Sequence, residues 1–182
     1  LGLLASGELP EHAATALADL AAGLAAAGGT VVMPSSGALA ESETFASRLL
    51  APGEPWRTTL AYGETPGAPG LHVMDAPTTH PTEISTGLGG SGAQVMVGHI
   101  GSFPVHAHPL VPLLQVSGVE RSRRRLGSDL DVVLDPTADP AASVAALEGR
   151  IAAVASRTYA PQLGAAGVVD FQMTRGLLGV ST

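Results

Sequence analysis

Short apolar runs alternate with an amphipathic segment in the first 33 residues, and this alternation restricts the fold more than any other feature. Residues 1–4 and 30–33 are compact apolar runs typical of strands. Between them lies an alanine-rich stretch whose leucines recur at spacings of three and four, starting after Pro10 and stopping at Gly28. We expect a helix there. A strand, a helix and a strand in this order predict a right-handed parallel crossover.

The same alternation continues to the end of the chain. Apolar runs predict further strands at residues 71–74, 93–97, 111–116 and 130–134, and periodic segments predict helices at 41–50 and 141–157. We therefore predict a single α/β domain over residues 1–182, a three-layer sandwich with a mostly parallel, Rossmann-like sheet. Residues 51–70 are rich in Pro and Gly and form an irregular connection, in which Trp56 and Arg57 anchor the loop or grip a ligand.

Composition excludes several classes of function. The net charge of -7 argues against a nucleic-acid partner, although a small anionic substrate remains compatible with locally focused arginines. The sequence has no Cys and no Lys, which excludes a thiolate nucleophile, a disulfide and a Schiff base within this chain. No signal-peptide pattern and no long apolar run occur, which predicts a cytoplasmic protein without a membrane segment. The first residue is Leu, which leaves open that the chain is a fragment of a longer protein.

The stretch from Met74 to Ile100 is the predicted site. The strand at 71–74 ends at Asp75, a glycine-rich bend is expected at residues 86–92, and the next apolar run stops at Gly98 and His99. Strands that end in polar and glycine residues build the ligand clefts of open α/β sheets. We expect the backbone amides of this bend to hold a substrate carboxylate, at the following residues: Ser85, Thr86, Gly87, Gly89 and Gly92.

The same glycines match the spacing G-x-G-x-x-G of a dinucleotide turn. That motif requires a helix after the glycines, whereas residues 93–97 have the pattern of a strand. No nucleotide cofactor is therefore expected.

Three histidines are the densest group of potential metal ligands. His106 and His108 are two residues apart, so that in an extended segment both imidazoles face the same way, and His99 precedes them. Asp75 and Glu83 are the nearest carboxylates that could complete a site for a divalent ion such as Fe²⁺, Mn²⁺, Zn²⁺ or Ca²⁺. The alternative is an ordinary loop with surface histidines.

The only basic cluster comprises Arg121, Arg123, Arg124 and Arg125. It is interpreted as a solvated surface, with a contact to an anionic substrate or a neighbouring domain as the alternative. Ser35 and Ser36 lack the G-x-S-x-G surroundings of a hydrolase nucleophile.

The order of several motifs resembles a known family. MDAP, STG, SGAQVMV, PLLQVSG and SDLDVVLD follow one another as in the C-terminal domain of the altronate and galactarate dehydratases, the UxaA-like sugar-acid hydro-lyases. GLLASGE, AGGTVVMPSS and DFQMTRGLLG fall where that family has corresponding segments, so the resemblance covers nearly the whole chain.

The resemblance implies a carbon–oxygen lyase that acts on altronate-like or galactarate-like hydroxy acids. It further implies a contribution from a divalent metal and a missing N-terminal domain or partner subunit; homo-oligomerisation is left open. Dehydration needs a base for the proton next to the carboxylate and an acid for the leaving hydroxide. Asp75, His99 and Glu43 are the candidate catalytic residues; the alternative for Asp75 is a structural role, in which it ties its turn through side-chain to backbone hydrogen bonds.

Departures from the family pattern support a rival hypothesis. The family's Cys and Gly-Gly-Ser-Asp turn is replaced by residues 5–8, its acidic strand end by residues 34–38, and its Thr-Thr-Gly-Arg-Gly run by residues 99–103. Glu43 remains near the family's Ala-Glu-His step, with Thr44 in place of the His. The alternative is a non-catalytic ligand-binding or assembly domain that has lost the family's catalytic residues.

Overall fold

A six-stranded, all-parallel sheet forms the centre of the computed structural model, which describes residues 1–102 and 104–172. Phe103 and residues 173–179 of the DFQMTRGLLG segment lie outside the described residues. The strands are β1 (Gly2–Ser6), β2 (Thr30–Pro34), β3 (Gly70–Met74), β4 (Met96–Ile100), β5 (Leu113–Ser117) and β6 (Val132–Val133). The helices are α1 (Glu11–Ala26), α2 (Ala38–Glu41), α3 (Glu43–Leu49), α4 (Pro81–Gly90), α5 (Glu120–Leu126), α6 (Pro140–Ala155) and α7 (Gln162–Ala165), and a 3₁₀ turn covers Gly127–Asp129.

The strand order is β3-β2-β1-β4-β5-β6. From β1 the chain adds β2 and β3 on one side of the sheet. It then crosses back to place β4 on the other side of β1 and adds β5 and β6 beyond it. This topology places a switch point between β1 and β4, where Ser6 pairs in register with Ile100. The predicted Rossmann-like sandwich is confirmed.

Alternate residues of each strand enter two separate cores, because successive side chains point to opposite faces of a sheet. Leu3 and Val97 pack with α1, α3 and α6 on one face. Leu4 and Met96 pack with α4 on the other face. Both faces are covered by helices, which explains why the parallel strands appear in the sequence as unbroken apolar runs.

The largest departure from the sequence prediction is α4. Residues 81–90 form a helix instead of a turn and a glycine-rich bend, with Pro81 in its first turn and Glu83 among its first residues. Glycine is a poor helix former, but here it permits close packing: a Cβ at Gly87 would lie 2.5 Å from the Tyr62 ring. As a result β4 covers Met96–Ile100 rather than residues 93–97, and His99 lies inside a strand.

The predicted helix at 41–50 corresponds to α3, and the short α2 precedes it. Ser42 ends α2 and caps α3, accepting a hydrogen bond from the Phe45 amide at 3.2 Å. The Trp56 ring lies 5.9 Å from that of Phe45, so Trp56 anchors the irregular loop to the core. None of the helices in the described ranges is long and apolar enough to span a membrane.

Candidate functional site

Parallel strands bring five chain turns to one edge of the sheet, which we call the carboxyl edge. Gly7 follows β1, Ser35 follows β2, Asp75 follows β3, Gly101 follows β4 and Gly118 follows β5. Ligands of open α/β sheets bind outside this edge, at the switch point. It is here that the predicted catalytic residues have to be located.

The turn after β3 is fixed by backbone contacts and leaves Asp75 exposed. The Ser35 amide donates to the Met74 carbonyl at 2.8 Å, and the Ala76 amide donates to Ser35 Oγ at 3.0 Å. The Asp75 amide donates to the Leu60 carbonyl at 2.9 Å. Asp75 is thus an accessible carboxylate on a well-supported turn.

A buried carboxylate lies a few residues further on. Glu83 is only 2% exposed, and its Oε2 accepts a hydrogen bond from the Thr78 hydroxyl at 2.6 Å. Because a carboxylate near a helix N-terminus is favoured by the helix dipole, Glu83 stabilises the start of α4. Its contacts connect the Asp75 turn to the helix.

His99 is completely buried at the end of β4. The Gly118 amide donates to its Nε2 at 3.1 Å, so the neutral ring carries its proton on Nδ1. Burial, and secondly repulsion from His12, lower the pKa of His99 to about 4. Within the described ranges, His99 Nδ1 and His12 Nε2 are buried without a hydrogen-bond partner.

The switch-point crevice is filled by the chain itself. The Gly101 amide donates to the Ser6 carbonyl at 2.7 Å, and a Cβ at Gly101 would collide with the backbone of Glu8. Ser122 Oγ donates to the Gly101 carbonyl at 2.8 Å from the other side. The turns after β1 and β4 are therefore in direct backbone contact where many Rossmann-like proteins leave a cleft.

The sheet order separates two of the predicted catalytic residues. Asp75 follows β3 and His99 is the penultimate residue of β4, and β2 and β1 lie between these strands. Three strand spacings correspond to about 14 Å between the two backbone positions. His99 is also completely buried whereas Asp75 is exposed, so the structure does not bring the two side chains together at an open surface. Their joint role in catalysis stays a prediction. Glu43, the other predicted catalytic residue, is the exposed first residue of α3.

The amides of the glycine-rich stretch, which were predicted to hold a substrate carboxylate, lie within α4 and the turn after it. Ser85 Oγ and Thr86 Oγ1 both donate to the Thr82 carbonyl, at 2.9 and 2.8 Å. Amides inside a helix bond to carbonyls four residues earlier, so Gly87 and Gly89 have no free amide to offer. The Gly92 amide donates to the Gly89 carbonyl at 3.0 Å.

The histidines of the predicted metal site have different surroundings. His106 is exposed, with Nδ1 3.3 Å from Asp170 Oδ2, whereas His108 is 7% exposed and its Nδ1 accepts from two backbone amides at 3.1 Å. The two imidazoles do not face the same way. Across residues 1–102 and 104–172, no three His, Asp or Glu side chains are grouped to hold a metal ion. A divalent metal at His99, His106 and His108 stays a prediction.

Sequence reasoning missed two features of this region. The helical role of Glu83 was detectable, since Pro81 two residues before an acidic residue is typical of a helix start. The proximity of His12 on α1 to His99 on β4 was not detectable, because it depends on β1 and β4 being neighbours in the sheet.

No protein-family model matches the chain, and no curated protein matches it either. What the chain does is therefore inferred from its own motifs and geometry.

Proposed function

We propose that the chain is the C-terminal domain of a divergent sugar-acid dehydratase, a hydro-lyase for altronate-like or galactarate-like acids that works with a further domain or subunit. One observation carries this proposal. The segments that resemble the dehydratases include the ends of β1, β2, β3 and β5, and these ends meet at the carboxyl edge. Residues 5–8 and 34–38 depart from the family pattern there, so the MDAP motif after β3 and the PLLQVSG motif of β5 carry the resemblance at this edge. A family motif set scattered over the surface would not support a shared site.

Asp75 is the best-supported catalytic residue. It belongs to the MDAP motif, it is exposed, and its turn is fixed by the Ser35 and Leu60 hydrogen bonds. A carboxylate in this position can accept the proton next to the substrate carboxylate. The acid that protonates the leaving hydroxide would come from the further domain.

His99 has a different role in this proposal. It is 0% exposed and uses Nε2 to accept the Gly118 amide, so it positions the turn after β5 rather than touching the substrate at Asp75. Glu43, exposed at the start of α3 after β2, stays a second candidate for contact with substrate.

The test uses the complete protein that contains this chain, incubated with a panel of hexonates and hexarates. Formation of a 2-keto-3-deoxy acid, trapped as its semicarbazone, reports dehydration. We expect Asp75→Asn to lower kcat by about 100-fold or more, the usual contribution of a general base. Asp129→Asn is the matched control, because it makes the same substitution at an exposed residue that precedes β6, away from the carboxyl edge. It should leave kcat unchanged.

A non-catalytic ligand-binding or assembly domain is the second candidate. The closed contact between Gly101 and Glu8 favours it, because the crevice that usually receives a ligand is occupied by backbone. Binding of a hydroxy acid, measured by calorimetry, without any keto-acid product would support this alternative and contradict the dehydratase. Turnover that is equal in the wild type and Asp75→Asn would remove Asp75 from the mechanism.

A further inference from the structure

A second region of the molecule has the shape of a small-molecule site. A cavity of about 480 Å³ lies beside the C-terminal end of α4, lined by Tyr62, Gly89, Gly90, His108, Leu110 and Phe171 among others. This volume falls within the range of ligand pockets, and the lining is mostly apolar. α4 has 10 residues, so the cavity lies about 15 Å along the helix from the turn that carries Asp75.

Polar groups of the α4 wall already have partners. The Thr86 hydroxyl donates to the Thr82 carbonyl at 2.8 Å and accepts from the Gln172 amide at 3.4 Å. At the end of the helix, the carbonyls of residues 87–89 accept hydrogen bonds from the amides of residues 91–93. Neither this hydroxyl nor these carbonyls need a ligand.

His108 is different, because one of its ring nitrogens has no partner. Its Nδ1 accepts the Leu110 and Val111 amides at 3.1 Å, which puts the proton of the neutral ring on Nε2. Within the described ranges, Nε2 is buried without a hydrogen-bond partner, a costly state for an N–H donor. A Cβ at Gly89 would lie 3.2 Å from Nε2, so this edge of the ring is directed at the Gly89 wall of the cavity.

The lining has no charge that would select an ion. No Arg, Asp or Glu is among the described residues that line the cavity. The His108 side chain is 7% exposed, and burial lowers its pKa, so the ring is neutral at physiological pH. A cation would meet an N–H donor, and an anion would lose its hydration for a single hydrogen bond. A neutral acceptor avoids both costs.

Phe171 covers the imidazole and can give way to a ligand. Its ring packs edge to face against the His108 ring, with centroids 5.5 Å apart, and it is 44% exposed. Because nearly half of its surface has no packing contact to lose, this side chain can shift at little cost. A shift of the Phe171 ring would bring a ligand to the imidazole.

We infer that this cavity binds a neutral, mainly apolar molecule with a carbonyl oxygen, which accepts the hydrogen bond of His108 Nε2 while the apolar body lies against Gly89, Leu110 and Phe171. This ligand class goes beyond the proposed dehydratase activity, whose hydroxy-acid substrates are anionic and strongly hydrated. The inference uses none of the catalytic candidates, so it and the proposed function can each fail without the other.

Acetophenone is the probe, and 2-phenylpropene, in which a CH₂ group replaces the carbonyl oxygen, is the matched control ligand. In a titration followed by amide NMR, acetophenone should produce saturable shifts at Gly63, Thr86 and Gly90, which line the cavity. It should bind about fivefold more tightly than the alkene, the usual net effect of one hydrogen bond. A cavity without a donor would prefer the alkene, because the alkene is more hydrophobic. Equal affinities, a preference for the alkene, or no saturable shift up to the solubility of acetophenone would overturn the inference.

His108→Asn separates the donor from the support that His108 gives to its own loop. The Asn Oδ1 can replace Nδ1 as the acceptor of the Leu110 and Val111 amides, but the Nε2–H is lost. The preference for acetophenone should therefore disappear, whereas His72→Asn, the same substitution on β3 outside the cavity, should keep it. Each variant is judged by the ratio of two affinities, so a general loss of stability does not imitate this result. A fivefold preference that survives in His108→Asn would also overturn the inference.

Discussion

Glycines have opposite consequences at the carboxyl edge and at the C-terminal end of α4. At the carboxyl edge, Gly101 lies directly against the Glu8 backbone, and Gly118 lies against His12, so the absence of side chains lets the chain close on itself. At α4, Gly89 and Gly90 line an open cavity of about 480 Å³. A missing side chain therefore removes a cleft in one region and creates one in the other.

This difference changes where a ligand is to be expected. The fold alone favours the switch point between β1 and β4, yet that place is occupied by the chain's own backbone. The accessible part of the carboxyl edge is displaced towards β3, where Asp75 is exposed. The strand order thus indicates the edge at which a ligand binds, whereas the packing of the turns decides which part of that edge is accessible to it.

Gly101→Ala should have the largest effect and tests whether the carboxyl edge is tightly closed. The new methyl group would meet the Glu8 backbone, which cannot rotate away as a side chain could. We expect the free energy of unfolding in urea to fall by about 3 kcal/mol, the upper range for overpacking.

Gly149→Ala is the control for this substitution. Nothing lies within 4 Å of a Cβ at that position in α6, so the variant should gain up to about 1 kcal/mol from helix propensity. If Gly101→Ala changed the free energy of unfolding as little as Gly149→Ala does, the turns after β1 and β4 would separate easily and the crevice between them would open.

The sequence predicted the layers better than the site. β1 and β2 were visible because strands buried on both faces are continuous apolar runs. α4 was missed: Pro81 and Glu83 indicate its start, but its glycines disfavour a helix, and the close packing of Gly87 against Tyr62 joins residues distant in sequence. Propensity alone disfavours that helix, and tertiary packing overrides it.

Strand order explains the other difference from expectation at the site. In the sequence, Asp75 and His99 both lie where an apolar run stops, so they look like neighbours at one edge of the sheet. In the sheet, β2 and β1 lie between their strands. Likewise, the two-residue spacing of His106 and His108 gave no sign that one imidazole would be buried and bonded to amides and the other exposed. These properties arise from which segments become neighbours, which local patterns do not encode.

Acidification should loosen the carboxyl edge with a smaller energy change. The pKa of His99 is about 4 in the folded protein against 6.5 ordinarily, so the unfolded chain binds the proton more tightly. The stabilisation is complete above pH 6.5 and is lost as pH falls towards 4. Between pH 7 and pH 5 the free energy of unfolding attributable to His99 should fall by about 2 kcal/mol.

Urea titrations at the two pH values measure this change. In His99→Gln, the free energy of unfolding should fall by about 2 kcal/mol less between pH 7 and pH 5 than it does in the wild type. His72→Gln, at a partly exposed position on β3, should show the same pH dependence as the wild type. An unchanged slope in His99→Gln would show that the imidazole is protonated in place, and that water reaches the edge more freely than its burial indicates.

The smallest effects come from a matched pair that compares the two regions directly. A Cβ at Gly118 would lie 2.5 Å from His12 Nε2, and a Cβ at Gly89 would lie 3.2 Å from His108 Nε2. Gly118→Ala forces the His12 side chain to move and should reduce the free energy of unfolding by about 1 kcal/mol. Gly89→Ala is also a tight fit, but the gain in helix propensity offsets it, so its net change should be within about 0.5 kcal/mol.

A double-mutant cycle separates this steric effect from a general loss of packing. In the His12→Ala background the imidazole is absent and only the Ala13 Cβ, 3.0 Å away, remains close. Gly118→Ala should therefore destabilise the protein less, with a coupling energy of up to about 1 kcal/mol. If Gly89→Ala proved the more damaging of the two glycine substitutions, the end of α4 would be the rigid region and the carboxyl edge the adaptable one. Ligand binding would then be expected at the switch point after all, because only an adaptable contact between the β1 and β4 turns could open to admit a substrate.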